Sequence, residues 1–328
     1  MTIQISIFGL GQIGASLGLA LAKHKDQILR VGHDKDRYAV SYAKTNDVVD
    51  KVTLTLSGAV DKADIVILAL PFQEIYSVLE HISQDLKEDT LVIDTGPLKT
   101  PVLKWVDEFL PKSCHYVGFT PVIGSDHLNN LEYGPDTASA DLFDGSVMGI
   151  VGGGNTTESA INMAANLVQL LGATPYFTDP AEIDGLMTTT YILPRLLAVS
   201  LLKTSQDAPG WREARKIASR AYSQTTNSLA QDEITGALAA AVESNRENTS
   251  RVIDDLIRVL IEVKDLAENA SQEESEKYFR QVQKNRDLWL DDRKKGNWIE
   301  TPQPDYQRRG MLSQLLGFKE RKKFQEDK

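Results

Sequence analysis

Three glycines near the start of the chain have a spacing that suits binding of a diphosphate. The motif Gly9-Leu10-Gly11-Gln12-Ile13-Gly14 follows a β-branched run and leads directly into an apolar helical pattern. Gly9 permits a tight turn, Gly11 has no side chain to block a diphosphate, and Gly14 lets the helix pack closely on the strand. The N–H groups at the start of such a helix attract anions. The motif therefore predicts a strand, a turn and a helix that bind a dinucleotide.

An acidic residue lies where it can bind the ribose of that dinucleotide. Asp34 ends a second apolar run, Ile28–His33, twenty residues after Gly14. A carboxylate at this point hydrogen-bonds the ribose 2′-hydroxyl of NAD and disfavours the additional phosphate of NADP. Lys35 and Arg37 stand close by and can weaken this preference. The sequence therefore favours NAD and leaves NADP open.

Apolar runs and helical patterns alternate through the first half of the chain. The predicted elements are a strand over Asp64–Leu70, a helix over Phe72–Leu86, a strand over Leu91–Asp94, a helix over Thr100–Phe109 and a strand over Val147–Val151. Such alternation with short links predicts an α/β fold, a Rossmann-type doubly wound parallel sheet, over residues 1–153. Ligands of these sheets lie at the carboxyl ends of the strands. We therefore expect dinucleotide contacts from Leu70, Pro71 and Asp94.

Helical patterns dominate the rest of the chain, over residues 154–290. Pro194 falls inside a long apolar helix predicted over Ala181–Thr204 and should kink or break it, since proline costs about 3 kcal/mol in a helix interior. The helix predicted over Arg246–Asn269 carries two apolar stripes, which favour a homodimer over the alternative of one wide face in a helix bundle.

A basic tail is predicted over residues 291–328, where lysine and arginine outnumber the acidic residues and two prolines interrupt any helix. We expect a loosely ordered, solvated segment. The alternative is a segment that docks on a partner or an anion.

Composition narrows the classes of function. With 36 basic and 46 acidic residues among 328, the net charge is −10, which does not favour nucleic acid as a partner. Cys114 is the only cysteine, so an intrachain disulfide is excluded and a reducing compartment fits. The first residues lack the features of a signal peptide, and no apolar run was expected to approach the length of a membrane span. These features predict a cytoplasmic protein that binds no membrane, and the sequence predicts no metal site.

The Gly-rich segment and several later stretches resemble those of one enzyme family. The similar segments are Gly9–Leu21, which matches GLGxIGxSLxxAL, Asp141–Gly145, Leu171-Gly172-Ala173, Asp179–Asp184, Leu193-Pro194 and Trp211-Arg212-Glu213. Together they resemble the prephenate/arogenate dehydrogenase family over about residues 3–290. The resemblance implies an NAD(P)-binding Rossmann domain, a helical dimerisation domain, and oxidative decarboxylation of prephenate or arogenate towards tyrosine.

The chain departs from the family pattern at the positions that handle protons and substrate. The family's DxxSxK reads Asp94–Lys99 here, with Pro97 in place of the serine. Thr120 stands at the histidine of GxHPMAG, which in the family accepts the substrate's hydroxyl proton. The SHLPH segment is Tyr191–Arg195, without either histidine, and Lys216 stands at an arginine that binds a substrate carboxylate.

Oxidation of an alcohol needs a hydride acceptor and a group that takes the hydroxyl proton. The catalytic candidates are Thr120, Lys99 and His127. A threonine hydroxyl is too weak a base at neutral pH, so Thr120 could only orient a water molecule. His127 lies seven residues further on, and its alternative is an ordinary surface histidine.

Four cations are candidates for binding a substrate carboxylate: Arg195, Arg212, Arg215 and Lys216. Ordinary salt bridges on helix faces are the alternative for each. Three functions are then open: a dehydrogenase of the prephenate or arogenate type, an oxidoreductase for a different carboxylated alcohol, and a nucleotide-binding regulatory homologue without turnover.

Overall fold

The chain folds into two compact units. The computed structural model describes residues 2–154, 156–231 and 234–296. Of the described residues, the sheet unit contains those up to Leu70, Glu74–Pro180 and those from Arg293 to residue 296. The helical unit contains Pro71–Gln73 and Ala181–Asp292.

One eight-stranded sheet organises the sheet unit. Its strands are β1 (Ile3–Phe8), β2 (Ile28–His33), β3 (Lys51–Val52), β4 (Ile65–Leu68), β5 (Leu91–Asp94), β6 (His115–Pro121), β7 (Val147–Gly152) and β8 (Thr174–Phe177). They lie in the order β3-β2-β1-β4-β5-β6-β7-β8. All neighbours are parallel except β6 and β7, which are antiparallel. The predicted doubly wound, Rossmann-type sheet is confirmed.

Apolar residues place β1, β4 and β5 at the centre of this sheet. Every residue of β4 and β5 is buried, as the continuous apolar runs predict for strands covered on both faces. The connecting helices are α1 (Gln12–Leu21), α2 (Arg37–Thr45), α3 (Leu56–Val60), α4 (Phe72–Ile82), α5 (Thr100–Phe109) and α6 (Glu158–Leu170). The sheet and helices together enclose one apolar core around residues such as Ile5, Leu17 and Ile93.

The sheet unit ends later than the sequence indicated. The predicted domain boundary after residue 153 is too early, because β8 pairs in parallel with β7 and the connecting helix α6 packs against both strands. The sheet, which was expected to end at β7, therefore includes β8 as well. The compact unit continues to Pro180.

A buried arginine joins β2 to the loop that precedes β3. The Arg30 side chain is fully buried, and its guanidinium donates to Asp50 Oδ1 at 2.7 Å and to the backbone carbonyls of Gly18 at 3.0 Å and Asp47 at 2.8 Å. Burial alone would raise the pKa of Asp50, but hydrogen bonds from Arg30 outweigh it and hold that pKa below its ordinary value. The ion pair therefore stabilises the folded state fully at pH values above the ordinary pKa of an aspartate.

The helical unit is built from seven further helices: α7 (Pro180–Met187), α8 (Leu193–Asp207), α9 (Trp211–Ile217), α10 (Arg220–Thr226), α11 (Ile234–Ser244), α12 (Arg246–Asn269) and α13 (Gln272–Lys295). The bounds predicted for α12 are confirmed. Pro194 lies in the first turn of α8, directly after a five-residue π turn over Thr188–Ile192. The predicted interruption thus takes the form of a π turn, which leaves proline at a helix start, where its missing N–H is tolerated.

The helical stretch Pro180–Asp207 is long and apolar enough to cross a membrane, by length and composition alone. The expectation that no apolar run approaches that length is therefore wrong. Only 17% of its most apolar window is buried within this chain. An apolar helix that is covered by a second protein chain has the same composition as a membrane-spanning helix. The stretch is therefore an apolar surface that this chain itself leaves mostly exposed.

The last two helices also present apolar side chains to solvent. Exposed residues of α12 and α13 include Ile257, Leu260, Ile261, Phe279 and Trp289. The predicted basic tail starts later than expected, since α13 continues to Lys295. Residues 297–328 lie outside the described residues.

The Arg30–Asp50 pair yields a stability prediction. Asp50→Asn leaves the buried guanidinium without its nearest counter-charge, so we expect the free energy of unfolding to fall by about 3 kcal/mol at neutral pH. Because the pKa of Asp50 is lowered in the folded state, this contribution is present above about pH 4 and is lost as the pH falls through the lowered pKa. Urea unfolding of both proteins at neutral and acidic pH measures the effect.

Asp47→Asn is the matched control, because Asp47 also contacts Arg30 but its side chain is 66% exposed. We expect a loss under about 1 kcal/mol there. Equal losses in the two variants, or a difference that does not shrink in acid, would contradict the assignment.

Candidate active site

The turn after β1 admits only glycine at two of its positions. Gly9 has a φ of +87°, and a Cβ there would lie 2.2 Å from the carbonyl oxygen of Ala69. A Cβ on Gly14 would lie 1.8 Å from the carbonyl oxygen of Gly9. Strand, turn and helix therefore pack through glycine, as the motif predicts.

Gly11 differs from its neighbours because the space beside it is open. Among the described residues, no atom lies within 4 Å of a Cβ built on Gly11. Helix α1 starts at the next residue, Gln12, and no described side chain caps its N-terminus. The N–H groups of the first turn, around Gln12 and Ile13, are thus available to an anion. This cradle fits the diphosphate of a dinucleotide.

Asp34 is held against the same turn. Its Oδ2 accepts from the backbone N–H of Leu10 at 2.6 Å, and its Oδ1 accepts from the N–H of Asp36 at 2.7 Å. These bonds fix the carboxylate at the end of β2, where the sequence predicts a ribose contact. The contact itself stays a prediction.

A cavity of about 550 Å³ opens beside Asp34. Arg37, Leu54 and Thr55 contribute to its lining, in positions suited to the rest of a nucleotide. Lys35 also borders it, but the ammonium group pairs with Glu74 Oε1 at 2.6 Å. Leu54 and Thr55 are not predicted as site residues, because nothing in their local sequence indicates that they line this cavity.

Two of the other predicted nucleotide contacts lie near the turn. Leu70 is 3.3 Å from a Cβ built on Gly9, so its side chain borders the motif. The amide of Gln12 contacts the carbonyl oxygen of Thr137 at 3.5 Å. Pro71 belongs to the helical unit.

Asp94 and Lys99, for which the sequence predicts a cofactor contact and a catalytic role, bind each other. Both side chains are fully buried, and Lys99 Nζ donates to Asp94 Oδ2 at 2.6 Å and to the carbonyl oxygen of Gly96 at 2.7 Å. The hydroxyl of Tyr116 donates to Asp94 Oδ1. The cofactor contact of Asp94 and the catalytic role of Lys99 stay predictions, while the buried pair itself supports a structural role.

This buried pair holds the loop between β5 and α5. The Lys99 side chain passes Gly118, where a Cβ would lie only 2.7 Å from Lys99 Cδ. The contacts of Tyr116 and Gly118 with this pair are not predictable from the sequence, since neither residue belongs to the Asp94–Lys99 motif. Their roles depend on the parallel pairing of β5 with β6.

Thr120 lies near the carboxyl end of β6, opposite Gly149 of β7. It is 3% exposed, and its hydroxyl has no hydrogen-bond partner within the described part of the chain. A buried hydroxyl of this kind is available to a ligand or a water molecule. Just beyond it, Arg293 donates to the carbonyl oxygen of Ile123, a contact that the sequence did not predict.

His127 occupies a surface turn, Ser125–His127, and its Nε2 lies 3.1 Å from Asp141 Oδ1. Hydrogen bonding from Ser139 and the nearby His127 lower the pKa of Asp141. This arrangement agrees with the surface-histidine alternative. A role as proton acceptor stays a prediction.

The four predicted carboxylate ligands lie on α8 and α9 of the helical unit. The Arg195 guanidinium donates to the carbonyl oxygen of Tyr191 at 2.7 Å and stacks on the Tyr191 ring, 3.6 Å from its centre. Arg212 and Arg215 are exposed. Lys216 pairs with Glu213 on its own helix, which supports the salt-bridge alternative for this lysine.

Comparison with known proteins identifies a family for the nucleotide-binding part of the chain. Residues 17–176 match the family model for the nucleotide-binding domain of prephenate dehydrogenase. The cyclohexadienyl dehydrogenase of Zymomonas mobilis is 28% identical over 199 residues, which cover 61% of this chain and 66% of the relative. The matched segment, residues 17–176, belongs to the prephenate dehydrogenase family. The prephenate dehydrogenase of Lactococcus lactis is 27% identical over 206 residues, 62% of this chain and 54% of the relative.

The match therefore spans about two thirds of one of these curated prephenate dehydrogenase relatives and about half of the other. Solved structures of the family extend the likeness over most of this chain. Prephenate dehydrogenase from A. aeolicus, in complex with hydroxyphenyl propionate and NAD+, has a TM-score of 0.75 at 20% identity and covers 88% of this chain and 99% of its own. Synechocystis arogenate dehydrogenase has a TM-score of 0.66 at 21% identity, with 88% and 100% covered. At these identities the likeness shows the prephenate dehydrogenase fold.

The open side of Gly11 yields a binding prediction. Gly11→Ala places a methyl group in free space, so the protein should fold normally, but that methyl occupies the volume of a bound diphosphate. We expect the affinity for NAD to fall about tenfold or more, with an unchanged melting temperature. Fluorescence titration with NAD and with NADP, alongside thermal unfolding, measures both effects.

Gly154→Ala is the matched control, because a Cβ there also meets open space. It should change neither nucleotide affinity nor stability. Wild-type affinity in the Gly11 variant would place the diphosphate elsewhere.

Proposed function

We propose that this protein is an NAD-dependent dehydrogenase that oxidatively decarboxylates prephenate or arogenate. The observation that carries the proposal is the open cradle at Gly11, at the start of α1 and beside Asp34, in a chain whose residues 17–176 belong to this family. The A. aeolicus relative was solved with NAD+ and a hydroxyphenyl carboxylic acid, which supports both the cofactor and the substrate class.

The nucleotide binds through the sheet unit in this proposal. The first-turn N–H groups of α1 bind the diphosphate, and Asp34 binds the adenosine ribose and favours NAD over NADP. NAD, when bound, supplies the acceptor for the substrate's hydride. Arg37 lines the neighbouring cavity and keeps NADP as the alternative cofactor.

Proton removal is where this chain differs most from the family pattern. Thr120 cannot act as a base at neutral pH, because a threonine hydroxyl is too weakly basic. Its buried hydroxyl orients a water molecule that accepts the proton from the substrate alcohol. Loss of carbon dioxide creates an aromatic ring, so the overall reaction is strongly driven and tolerates a weak acceptor. Arg195, Arg212 and Arg215 are the cations proposed to bind the substrate carboxylates.

A second candidate function follows from two differences between this chain and the family pattern. Thr120 and Pro97 replace the histidine and serine that the family pattern carries, which favours a different carboxylated alcohol as substrate. A nucleotide-binding homologue without turnover remains the third possibility.

The assembly proposed is a homodimer formed through the helical unit. The uncovered apolar residues of α12 and α13, and the poorly buried apolar stretch Pro180–Asp207, support a second copy as the cover. A cytoplasmic location is proposed with it, by analogy with biosynthetic relatives.

Turnover distinguishes the three functions. The reduced-cofactor absorbance is followed after mixing the full-length protein, NAD or NADP, and either prephenate or arogenate. Turnover supports the first function. Nucleotide binding without turnover refutes it, and a screen of carboxylated alcohols then separates the second function from the third.

Thr120 gives a test of the proton acceptor. Thr120→His supplies an imidazole at the family position, and a positioned base contributes about 10²–10⁴-fold. We therefore expect kcat on prephenate to rise by roughly tenfold or more. Thr120→Val keeps the shape without any hydroxyl and should lower kcat. An unchanged rate in both variants would show that Thr120 is not at the reacting hydroxyl.

The dimer proposal is tested by charge on the exposed face of α12. Leu260→Glu places a carboxylate at a residue that is 55% exposed in the single chain. It should convert a dimer into a monomer in sedimentation velocity, because an unpaired charge is disfavoured in an apolar interface. Leu131→Glu, at a 43% exposed leucine of the sheet unit, is the control and should leave the dimer intact. A wild-type monomer would refute the proposed assembly.

A further inference from the structure

The cavity beside Asp34 is bordered by two cations as well as by the predicted ribose carboxylate. Lys35 and Arg37 lie within three residues of Asp34, where β2 leads into α2, and all three residues line the cavity. In the proposed function the adenosine 2′-hydroxyl lies on Asp34, so the 2′-phosphate of NADP would enter the same space. The cations that can reach this phosphate therefore decide how well NADP binds.

The ammonium group of Lys35 is held by a residue that does not line the cavity. Lys35 Nζ donates to Glu74 Oε1 at 2.6 Å, within the sheet unit. Glu74 stands in the first turn of α4, where the helix dipole favours a carboxylate. The Glu74 side chain is 24% exposed, whereas that of Lys35 is 62% exposed. Glu74 is therefore the fixed member of the pair, and the long, flexible lysine side chain is the member that can move.

This ion pair also determines the charge that a phosphate would meet. Of the described residues that line the cavity, Arg37 is the one cation that is not paired with an acidic side chain, and the Asp34 carboxylate opposes it. A 2′-phosphate brings close to two negative charges at neutral pH. Without Glu74, Lys35 would supply a second cation, because an ammonium binds phosphate as a point charge.

We propose that Glu74 is a determinant of cofactor specificity, because it withholds Lys35 from the 2′-phosphate of NADP and so favours NAD. The inference deepens the proposed function and rests on its nucleotide site. Asp34 discriminates by direct repulsion at the ribose, whereas Glu74 acts through Lys35 and is a positioning residue. Its removal should therefore change the affinity for NADP and leave that for NAD as it is.

Four full-length proteins test the proposal by fluorescence titration with NAD and with NADP. They are the wild type, Glu74→Gln, Lys35→Met and the double variant. Glutamine keeps the shape of Glu74 without its charge, and methionine keeps the stem of Lys35 without its ammonium group. Arg37 is present in all four proteins, so its contribution cancels in the comparison. Thermal unfolding of each protein verifies that it is folded.

We expect Glu74→Gln to bind NADP roughly fivefold more tightly than the wild type and NAD with the same affinity, because the released ammonium contacts a phosphate that NAD lacks. The gain should vanish when both proteins compared carry Lys35→Met. It should also shrink at about 1 M salt, where the Debye length is about 3 Å.

Glu80→Gln is the matched control. It removes the same charge from the same helix, at an exposed glutamate for which the described part of the chain offers no lysine or arginine partner. Both nucleotide affinities should stay at their wild-type values in this variant.

Two results overturn the proposal. One is an unchanged NADP affinity in a Glu74→Gln protein that binds NAD. The other is a gain that persists without the Lys35 ammonium or that Glu80→Gln reproduces, since net charge would then be its cause.

Turnover of prephenate or arogenate, measured on the same samples, separates this inference from the proposed function. The expected gain in NADP affinity without any turnover supports the role of Glu74 and refutes the dehydrogenase function. Turnover together with an unchanged NADP affinity in Glu74→Gln refutes the role of Glu74 alone. A wild type that binds neither nucleotide refutes both.

Discussion

The backbones of the turn after β1, of helix α1 and of the residue after β4 pack directly on one another without side chains between them, and the rest of the site depends on this packing. A Cβ on Gly14 would lie 1.8 Å from the Gly9 carbonyl oxygen, and one on Gly9 would lie 2.2 Å from that of Ala69. With no side chains in these gaps, α1 begins directly beyond the carboxyl end of β1. Its first turn faces the open space beside Gly11. The close backbone approach at Gly9 and Gly14 therefore positions both the centre of the sheet and the anion cradle.

The sequence predicts those elements whose signals are local. The bounds of α5 (Thr100–Phe109) and α12 (Arg246–Asn269) agree with the prediction, because an apolar period near 3.6 is contained within each segment. The end of the sheet unit could not be predicted in this way. Strand β8 joins the sheet by pairing with β7 across the whole of α6, and local patterns do not encode such pairing. Pro194 predicts an interruption, whereas the π turn that absorbs it depends on tertiary packing.

The residues of the candidate site also differ in whether a local sequence pattern predicts them. The Gly-rich turn and Asp34 are predictable, because the geometry of one βαβ unit fixes their spacing. The burial of Lys99 is not predictable in this way. It requires the absence of a side chain at Gly118 of β6 and an ion pair with the Asp94 carboxylate at the end of β5.

We propose that the nucleotide cradle lies in the sheet unit, where Thr120 stands at the position of the histidine in the family pattern. The central claim is that backbone amides at the first turn bind the cofactor's diphosphate. A crystal structure of the full-length protein grown with NAD tests this most directly. The account predicts diphosphate oxygens within hydrogen-bonding distance of the N–H groups around Gln12, with the adenosine ribose on Asp34. A diphosphate bound elsewhere, or a turn closed by its own side chains, would contradict it.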